Sequence, residues 1–190
     1  MTRIVIAEDE AIIRLDLQET LQAEGYEVVG QAADGLEAVQ LVRELTPDVA
    51  ILDIKMPGTD GLTAAREILS ERLAAVVILT AFSQRDLIEQ ASEAGVLSYV
   101  VKPFHRSDLV PAIELAIARF RDLTALSQQA AQLTRQLEDR KVLDRAKGRL
   151  MDGHGLTEQE AFRFLQTTAM ARRTAMRAVA EQVLDGSLQP

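Results

Sequence analysis

The stretch Val49-Ala50-Ile51-Leu52-Asp53, which runs into a turn containing Pro57 and Gly58, decides the fold of this chain. An uninterrupted apolar run of this length before a turn is typical of a buried strand in a parallel sheet. We therefore expect Asp53 to lie at the carboxyl end of that strand, where α/β proteins place their chemistry.

Short apolar runs alternate with amphipathic helical patterns through the first part of the chain. The predicted strands are Arg3–Ala7, Tyr26–Gly30, Asp48–Leu52, Ala75–Thr80 and Leu97–Val101, and the predicted helices lie near residues 10–24, 35–45, 62–72 and 84–94. This alternation predicts an α/β fold, namely a flavodoxin-like, doubly wound, five-stranded parallel sheet of order 2-1-3-4-5.

Charged residues end three of these strands. Glu8 and Asp9 follow the first strand, Asp53 the third and Lys102 the fifth. Because strands 1 and 3 are neighbours in the predicted order, the three acids should meet. Three acids and one lysine at strand ends indicate a metal-assisted phosphoryl acceptor.

The composition excludes several kinds of chemistry. The 190 residues include no Cys, which excludes a thiolate metal site and a cysteine nucleophile. They include only two His, so a zinc site or a Ser-His-Asp triad has almost no histidine available. The N-terminus shows no signal-peptide pattern, and no apolar run approaches the roughly 20 residues that span a bilayer. We expect a soluble, cytoplasmic protein with no membrane partner.

The net charge of −8 hides an asymmetry along the chain. Residues 1–120 hold 10 Lys and Arg against 20 Asp and Glu, whereas residues 140–180 hold 9 against 4. We therefore predict two domains with different partners, 1–120 and 121–190. Nucleic acid is the natural partner of a basic domain.

A long helix is predicted from Ser107 to about Met151, with Pro111 in its first turn, where the missing N–H costs little. Its apolar stripe consists of Ile113, Ile117, Phe120, Leu123, Leu126, Ala130, Leu133 and Leu137. This coiled-coil-like spacing favours pairing with a second copy over the alternative, packing onto the chain's own C-terminal helices.

The tail of this helix and two further helices predict a small three-helix, all-α domain. The second helix opens at a capping box formed by Thr157 and Glu160, and the last lies near residues 174–184. Phe162 and Phe164 are expected in the core of this domain. Gly148 costs up to ~1 kcal/mol inside a helix, which suggests the close approach of another backbone.

The acidic strand ends carry the oxygen ligands that Mg²⁺ prefers. Asp9 and Asp53 can supply carboxylates and Lys55 a backbone carbonyl, while the Asp53 carboxylate can attack phosphorus directly. Lys102 would neutralise charge on the phosphoryl group, and the Thr80 hydroxyl would bind one of its oxygens. Each residue alone could be a helix cap, a salt bridge or an ordinary strand residue, but their coincidence at matching strand ends favours phosphoryl chemistry.

The motifs of residues 1–120 resemble the receiver domain of two-component response regulators. The resemblance is carried by Glu8-Asp9, Asp53, Met56-Pro57-Gly58, Asp60-Gly61, Thr80-Ala81 and Lys102-Pro103. It implies that a sensor histidine kinase phosphorylates Asp53, that Glu8, Asp9 and Asp53 surround Mg²⁺, and that Lys102 contacts the phosphoryl group. It also implies Thr80 and Tyr99 as a switch pair and a cis Lys102-Pro103 bond.

Basic residues are concentrated in the C-terminal part of the chain. The candidate RNA-binding residues are Arg140, Lys147, Arg149, Arg172, Arg173 and Arg177. Arg172 and Arg173 are expected at the start of the last helix, where backbone N–H groups favour phosphate. The alternative is a solvated basic face. Because both phenylalanines of this region are assigned to the core, recognition of a folded RNA by shape is favoured over base stacking.

Residues 125–185 resemble the ANTAR domain. The resemblance is carried by Arg140, Val142-Leu143, Ala146-Lys147-Gly148, Leu150-Met151, Glu160-Ala161-Phe162, Leu165, Ala169-Met170, Arg173 and Val179-Ala180. It implies a three-helix module of transcription antitermination regulators that binds RNA hairpins in target transcripts.

Together the two resemblances imply a response regulator in which phosphorylation favours a homodimer and switches an RNA-binding, antiterminating output. The alternative is a DNA-binding response regulator, although the segment between the last two helices lacks the glycine typical of a helix-turn-helix. An aspartyl-phosphate enzyme would need an acid two residues after Asp53, where this chain has Lys55. We therefore expect a regulator and not an enzyme.

Overall fold

The structure, a computed structural model, describes residues 1–81, 95–96 and 98–190. Within these residues, five parallel strands form one sheet of order β2-β1-β3-β4-β5. The strands are β1 (Arg3–Ala7), β2 (Glu27–Ala32), β3 (Val49–Asp53), β4 (Ala75–Thr80) and β5 (Ser98–Val101). The predicted fold class and strand order are confirmed, whereas the helix predicted near residues 84–94 lies outside the described residues.

Helices cover both faces of the sheet. One face packs against α1 (Ala11–Ala23) and the start of α4 (Arg106–His154), and the other packs against α2 (Gly35–Leu45) and α3 (Gly61–Ser70). Strand residues alternate between the two layers, so that Ile6 and Ile51 lie in the first and Ala7 and Leu52 in the second. This alternation explains why the central strands are apolar throughout, since neither face is left to solvent.

Side-chain caps fix where two of the helices begin. Asp34 accepts a hydrogen bond from the Glu37 N–H at α2, and Asp60 accepts one from the Thr63 N–H at α3. Such caps satisfy N–H groups that have no partner within the helix. Because α3 follows the loop after β3, its capped start also fixes the chain immediately beyond Asp53.

The residue contacts divide the chain into two compact units, Met1–Ala125 and Leu126–Pro190, and the division falls within α4. The second unit is described throughout and contains the end of α4, α5 (Glu158–Arg172) and α6 (Met176–Asp185). Its own core consists of Ala146, Leu150, Ala161, Leu165, Ala169, Val179, Ala180 and Val183. The capping box of Thr157 and Glu160 at the start of α5 is confirmed.

Three expectations about the second unit are wrong. Arg172 is the last residue of α5 and not the start of the next helix, because the chain leaves the helix at Arg173 in the left-handed conformation, with φ 52°. The Phe162 side chain is 45% exposed and lies outside the core, because the buried stripe of α5 runs through its neighbour Ala161. At Gly148, a Cβ would meet no atom within 4 Å beyond the adjoining turns of its own helix, so no other described backbone approaches it closely.

The open surroundings of Gly148 predict a stabilising substitution. Gly148→Ala should raise the free energy of unfolding of the second unit by about 0.5–1 kcal/mol, because alanine restricts the unfolded chain and meets no obstacle in the helix. Urea unfolding followed by far-UV circular dichroism measures the change. Gly155→Ala is the matched control and should destabilise, because Gly155 has φ +66°. A loss of stability in Gly148→Ala would contradict the prediction.

Tyr26 lies at the junction of the sheet and α4. Its hydroxyl donates a hydrogen bond to Glu114 Oε1 at 3.1 Å, and burial, together with this carboxylate, raises the pKa of Tyr26 to about 12. An unfolded tyrosine titrates near 10. Protonated Tyr26 therefore stabilises the folded state fully below a pH of about 10, and this contribution is lost as the pH rises towards 12.

Phenolate absorbance tests the Tyr26 titration directly, because the chain has only two Tyr and no Trp. The wild-type protein should show a step near pH 12 that Tyr26→Phe lacks. A Tyr26 step near pH 10, the ordinary value for tyrosine, would show that burial and the hydrogen bond to Glu114 do not shift its pKa.

Candidate functional site

The carboxyl ends of the central strands bring the predicted acidic residues together. Asp53 is the last residue of β3, and Glu8 and Asp9 follow β1, its neighbour in the sheet. Oxygen atoms of the three carboxylates all lie within 4.8 Å of one another. Glu8 and Asp53 are buried, whereas Asp9 is exposed. The cluster thus has two carboxylates anchored in the protein and one facing solvent.

Lys102, immediately after β5, contacts both buried carboxylates. Its Nζ lies 2.9 Å from Asp53 Oδ1 and 2.5 Å from Glu8 Oε2. The other Asp53 oxygen, Oδ2, accepts a hydrogen bond of 3.1 Å from the Lys55 backbone N–H. Both oxygens of Asp53 are therefore oriented by neighbouring groups, which fixes the plane of the carboxylate.

The electrostatics of the cluster follow from burial and from these pairs. Burial raises the pKa of Glu8, and the Asp53 charge adds to this effect, while Lys102 opposes it. Burial alone would lower the pKa of Lys102, but its hydrogen bonds to Glu8 and Asp53 outweigh that effect and raise it. With all groups ionised, three carboxylates and one ammonium carry a net charge of −2, which matches one divalent cation.

A cleft of about 600 Å³ opens above the cluster. Residues from the ends of several strands line it, including Asp9, Asp53, Lys55, Thr80, Lys102 and Phe104. Asp53 is therefore reachable from solvent although its side chain is almost entirely covered. The cleft is large enough to admit a phosphoryl group and its donor.

Gly61, at the start of α3, packs directly against the backbone of Asp53. A Cβ at Gly61 would lie 1.9 Å from the Asp53 carbonyl oxygen, closer than any two such atoms can come. The Gly61 N–H also donates a hydrogen bond of 3.0 Å to the Ile54 carbonyl. The absence of a side chain therefore lets α3 hold the strand end that carries Asp53.

The predicted switch residues occupy different environments. Thr80 ends β4 and is buried, whereas the Tyr99 side chain on β5 is 46% exposed. Tyr99 pairs in register with Ile78, two residues before Thr80. The predicted cis bond between Lys102 and Pro103 is confirmed.

Four of the six predicted RNA-binding residues are engaged within the second unit. Lys147 lies 2.9 Å from Asp144 and 2.8 Å from Glu158, and Arg177 lies 2.6 Å from Asp139 and 2.9 Å from Glu181. The other two bonds are 2.6 Å from Arg149 to the Leu184 carbonyl and 2.9 Å from Arg172 to Gln182. These side chains connect α4, α5 and α6.

The remaining two predicted RNA-binding residues are more accessible to a ligand. Arg140 is exposed and lies 3.9 Å from Asp144, and Arg173 is exposed at the end of α5. Arg145 and Arg163, which the sequence interpretation did not single out, are also exposed, and in the described part of the chain their side chains make no hydrogen bond or ion pair. Arg145 precedes the buried Ala146, and Arg163 lies two residues after the buried Ala161. A helical projection of the sequence places both arginines outside the apolar stripes, which indicates that they are exposed.

Comparison with known families agrees with this geometry. Residues 4–114 match the model of the response regulator receiver domain, and residues 131–184 match that of the ANTAR domain. The chain therefore belongs to the response regulators that combine a receiver domain with an ANTAR domain. The expected class, a response regulator with an RNA-binding antitermination output, is confirmed at the level of the family. Both matched families are regulatory and neither is a known enzyme family.

The chain is similar to a named regulator over nearly its whole length. It is 57% identical over 183 residues to the transcriptional regulatory protein PdtaR of Mycobacterium tuberculosis, covering 96% of this chain and 89% of that protein. It is 37% identical over 112 residues to the chemotaxis protein CheY of Thermotoga maritima, covering 58% of this chain and 93% of that protein. The receiver domain of the putative response regulator NarL from M. tuberculosis has a similar structure, with a TM-score of 0.59 and 31% identity, covering 62% of this chain and 96% of that one.

Proposed function

We propose that the protein is an aspartyl-phosphate switch in which Asp53 accepts a phosphoryl group from a sensor histidine kinase. The observation that carries the proposal is the position of Asp53, buried beside Glu8 and Asp9, contacted by Lys102 and open to the cleft. A carboxylate oxygen of Asp53 attacks phosphorus, an O–P bond forms, and the bond from phosphorus to the donor's histidine nitrogen breaks. The kinase histidine leaves with the electron pair of that bond.

The acidic cluster fits Mg²⁺. Asp9 and Asp53 would supply carboxylate oxygens, Lys55 a backbone carbonyl and Glu8 a further carboxylate, all of them the hard oxygen ligands that this ion prefers. The charge of −2 on the cluster with Lys102 fits a divalent cation. When bound, the ion would neutralise negative charge on the phosphoryl oxygens.

Lys102 and the switch residues act on the phosphoryl group once it is attached. The Lys102 ammonium, now 2.9 Å from Asp53 Oδ1, is within reach of a phosphoryl oxygen at the same place. The Thr80 hydroxyl would turn towards another phosphoryl oxygen and Tyr99 would move inward after it. The movement of an exposed aromatic ring changes the surface of β4 and β5, which is how a local charge becomes a regulatory signal.

The output is a homodimer that binds RNA hairpins. The exposed side chains of Leu123, Leu126, Leu133 and Leu137 follow a coiled-coil spacing along α4, which supports pairing with a second copy. The excess of basic over acidic residues in 140–180 supports a nucleic-acid partner for each ANTAR domain. Transcription takes place in the cytoplasm, which is where we place the protein. Among the described residues, even the longest helix is too polar to cross a membrane.

Direct binding measurements test the proposal. Full-length protein, with and without Mg²⁺ and a small phosphodonor, should be titrated against hairpin RNA and duplex DNA of equal length. Phosphorylation should increase both the dimer fraction and the affinity for hairpin RNA. Preference for duplex DNA would support the alternative, a DNA-binding response regulator, and equal RNA binding with and without phosphoryl would overturn the switch.

A further inference from the structure

Asp9 differs from the other two carboxylates of the acidic cluster in how it is held. Glu8 and Asp53 are buried, and both carboxylates contact Lys102. The Asp9 side chain is exposed and, within the described residues, makes no hydrogen bond or ion pair. The position of the Asp9 carboxylate relative to the other two therefore depends on the backbone that carries it.

The backbone immediately before Asp9 is held at both ends of one residue. The Glu8 N–H donates a hydrogen bond of 3.1 Å to the Ala32 carbonyl of β2. The Glu8 carbonyl accepts a hydrogen bond from Arg14 Nη1. Because the Glu8 carbonyl and the Asp9 N–H belong to one planar peptide group, the contact with Arg14 fixes the plane from which Asp9 starts.

The start of α1 lacks the side-chain cap that fixes the starts of α2 and α3. Asp34 and Asp60 cap those two helices, whereas the side chain of Glu10, the N-cap residue of α1, makes no capping hydrogen bond. Arg14 is the fourth residue of α1, and its guanidinium reaches back over the first turn to the Glu8 carbonyl. This hydrogen bond ties α1 to the loop that carries the acidic pair.

Helix stability does not account for an arginine at this position. The partial positive charge at the N-terminus of a helix favours acidic residues and opposes basic ones. An ion pair does not account for it either, since Arg14 pairs with no carboxylate of the described residues, although Glu8, Asp9 and Glu10 precede it in the loop. The observed partner is a backbone carbonyl, so the Asp9 carboxylate remains accessible to a cation from solvent.

We propose that Arg14 is a positioning residue that holds the Asp9 carboxylate where a divalent cation can bind it together with Asp53, a role that rests on the proposed Mg²⁺ site. Arg14 is not among the described residues that line the cleft, so it acts through the backbone of Glu8 and Asp9 and not by contact with the phosphoryl group. Because a guanidinium is not deprotonated in proteins, this contact does not vary with pH.

The sign of the effect on Mg²⁺ binding distinguishes positioning from charge. A guanidinium beside an acidic cluster repels a cation, so an effect of charge alone would make the loss of Arg14 strengthen Mg²⁺ binding. Loss of positioning has the opposite result, because Mg²⁺ demands near-ideal octahedral geometry and Asp9 would be free to leave it. Replacement of a residue that orients a metal ligand commonly weakens metal binding roughly 10- to 100-fold.

Arg14→Met is the most informative variant, because it keeps the aliphatic stem of this half-buried side chain and removes its charge and donors. In unphosphorylated full-length protein, the Mg²⁺ affinity of Arg14→Met should be about 10-fold below that of the wild type. Arg14→Gln, whose amide is too short to reach the Glu8 carbonyl, should show the same loss. Arg14→Lys keeps the charge and an N–H donor and should recover most of the affinity.

Backbone amide chemical shifts, followed by NMR during titration with MgCl₂, measure these affinities without a phosphodonor. The dispersion of the same signals reports whether each variant is folded. An unfolded fraction lowers the signal intensity of the folded protein but leaves its titration midpoint unchanged. A folding defect is thereby separated from a loss of affinity.

Arg43→Met is the matched control. The Arg43 guanidinium also makes contacts within the first unit, where it pairs with Glu67 and Glu71. It lies in the last turn of α2, which precedes the start of β3 and not the strand end that carries Asp53. Its replacement should leave the Mg²⁺ affinity at the wild-type value.

A double-mutant cycle with Asp9→Asn tests whether Arg14 acts through Asp9. Asp9→Asn alone should weaken Mg²⁺ binding, because it removes a charged ligand. If Arg14 matters only by placing that ligand, Arg14→Met should cause little further loss in the Asp9→Asn protein.

The outcomes separate this assignment from the proposed Mg²⁺ site. If the wild type shows no Mg²⁺-dependent shifts, or if Asp9→Asn binds Mg²⁺ as tightly as the wild type, the site fails and the role of Arg14 fails with it. If Asp9→Asn weakens binding but Arg14→Met and Arg14→Gln bind Mg²⁺ as tightly as the wild type or more tightly, the site stands and the role of Arg14 is overturned. An equal loss from Arg14→Met with and without Asp9→Asn would also overturn it.

Discussion

Asp53→Asn should eliminate phosphorylation by a small phosphodonor in the presence of Mg²⁺, reducing the incorporated phosphoryl from one group per chain to none. An amide is a poor nucleophile towards phosphorus and, being neutral, cannot take the place of the carboxylate beside a cation. Glu8 cannot take over this role, since it has no exposed surface and is held by Lys102 at 2.5 Å. Intact-mass spectrometry measures the occupancy, and acid treatment distinguishes an acyl phosphate from a phosphoester by its stability.

Asp60→Asn is the matched control for this substitution. Asp60 belongs to the same loop and caps α3, a role that asparagine fills about equally well. Its replacement should leave phosphorylation at the wild-type level. Labelling of Asp53→Asn to the wild-type extent would show that another residue is the acceptor, whereas loss of labelling in both variants would point to damage of the loop.

Gly61→Ala should lower the free energy of unfolding of the first unit by about 3 kcal/mol and should also impair phosphorylation. The added methyl carbon would lie 1.9 Å from the Asp53 carbonyl oxygen and 2.9 Å from its carbonyl carbon, so that the backbone itself has to move. Separation of α3 from the end of β3 would displace both Asp53 and the Lys55 backbone.

Tyrosine fluorescence during urea unfolding isolates this effect, because Tyr26 and Tyr99, the only tyrosines of the chain, both lie in Met1–Ala125. Gly58→Ala serves for comparison. Gly58 has φ +70° and open space around it, so alanine should cost about 1 kcal/mol through conformation alone. Equal losses in the two variants would mean that contact between Gly61 and Asp53 is unimportant.

The sheet and the acidic cluster could be predicted from the sequence because both depend on local patterns. Apolar runs such as Val49–Asp53 identify strands without reference to distant residues, and the strand order then determines which ends meet. The strand bounds were less exact: β3 was predicted as Asp48–Leu52 but is observed as Val49–Asp53, and β2 was predicted as Tyr26–Gly30 but is observed as Glu27–Ala32. Tyr26 is apolar enough to suggest a strand, yet it packs on the side of the sheet next to α4 through its bond to Glu114.

The second unit was harder to predict because its features depend on distant partners. The ion pair between Asp139 and Arg177 joins residues 38 positions apart, and no local pattern reveals it. The end of α5 at Arg173 was equally hidden, since a left-handed residue at that position is usually glycine. Phe162 was assigned to the core from its residue type, whereas its position next to the buried stripe decides its exposure.

The basic residues that tie α4, α5 and α6 together limit what mutagenesis and comparison can reveal. Replacing Lys147, Arg149 or Arg177 removes a link between two helices, so an alanine scan of these positions would report loosening of the domain as well as loss of affinity. The structural role of these residues also limits comparison between related proteins. Two regulators that share these three residues assemble the domain in the same way, but this does not show that they bind the same transcripts.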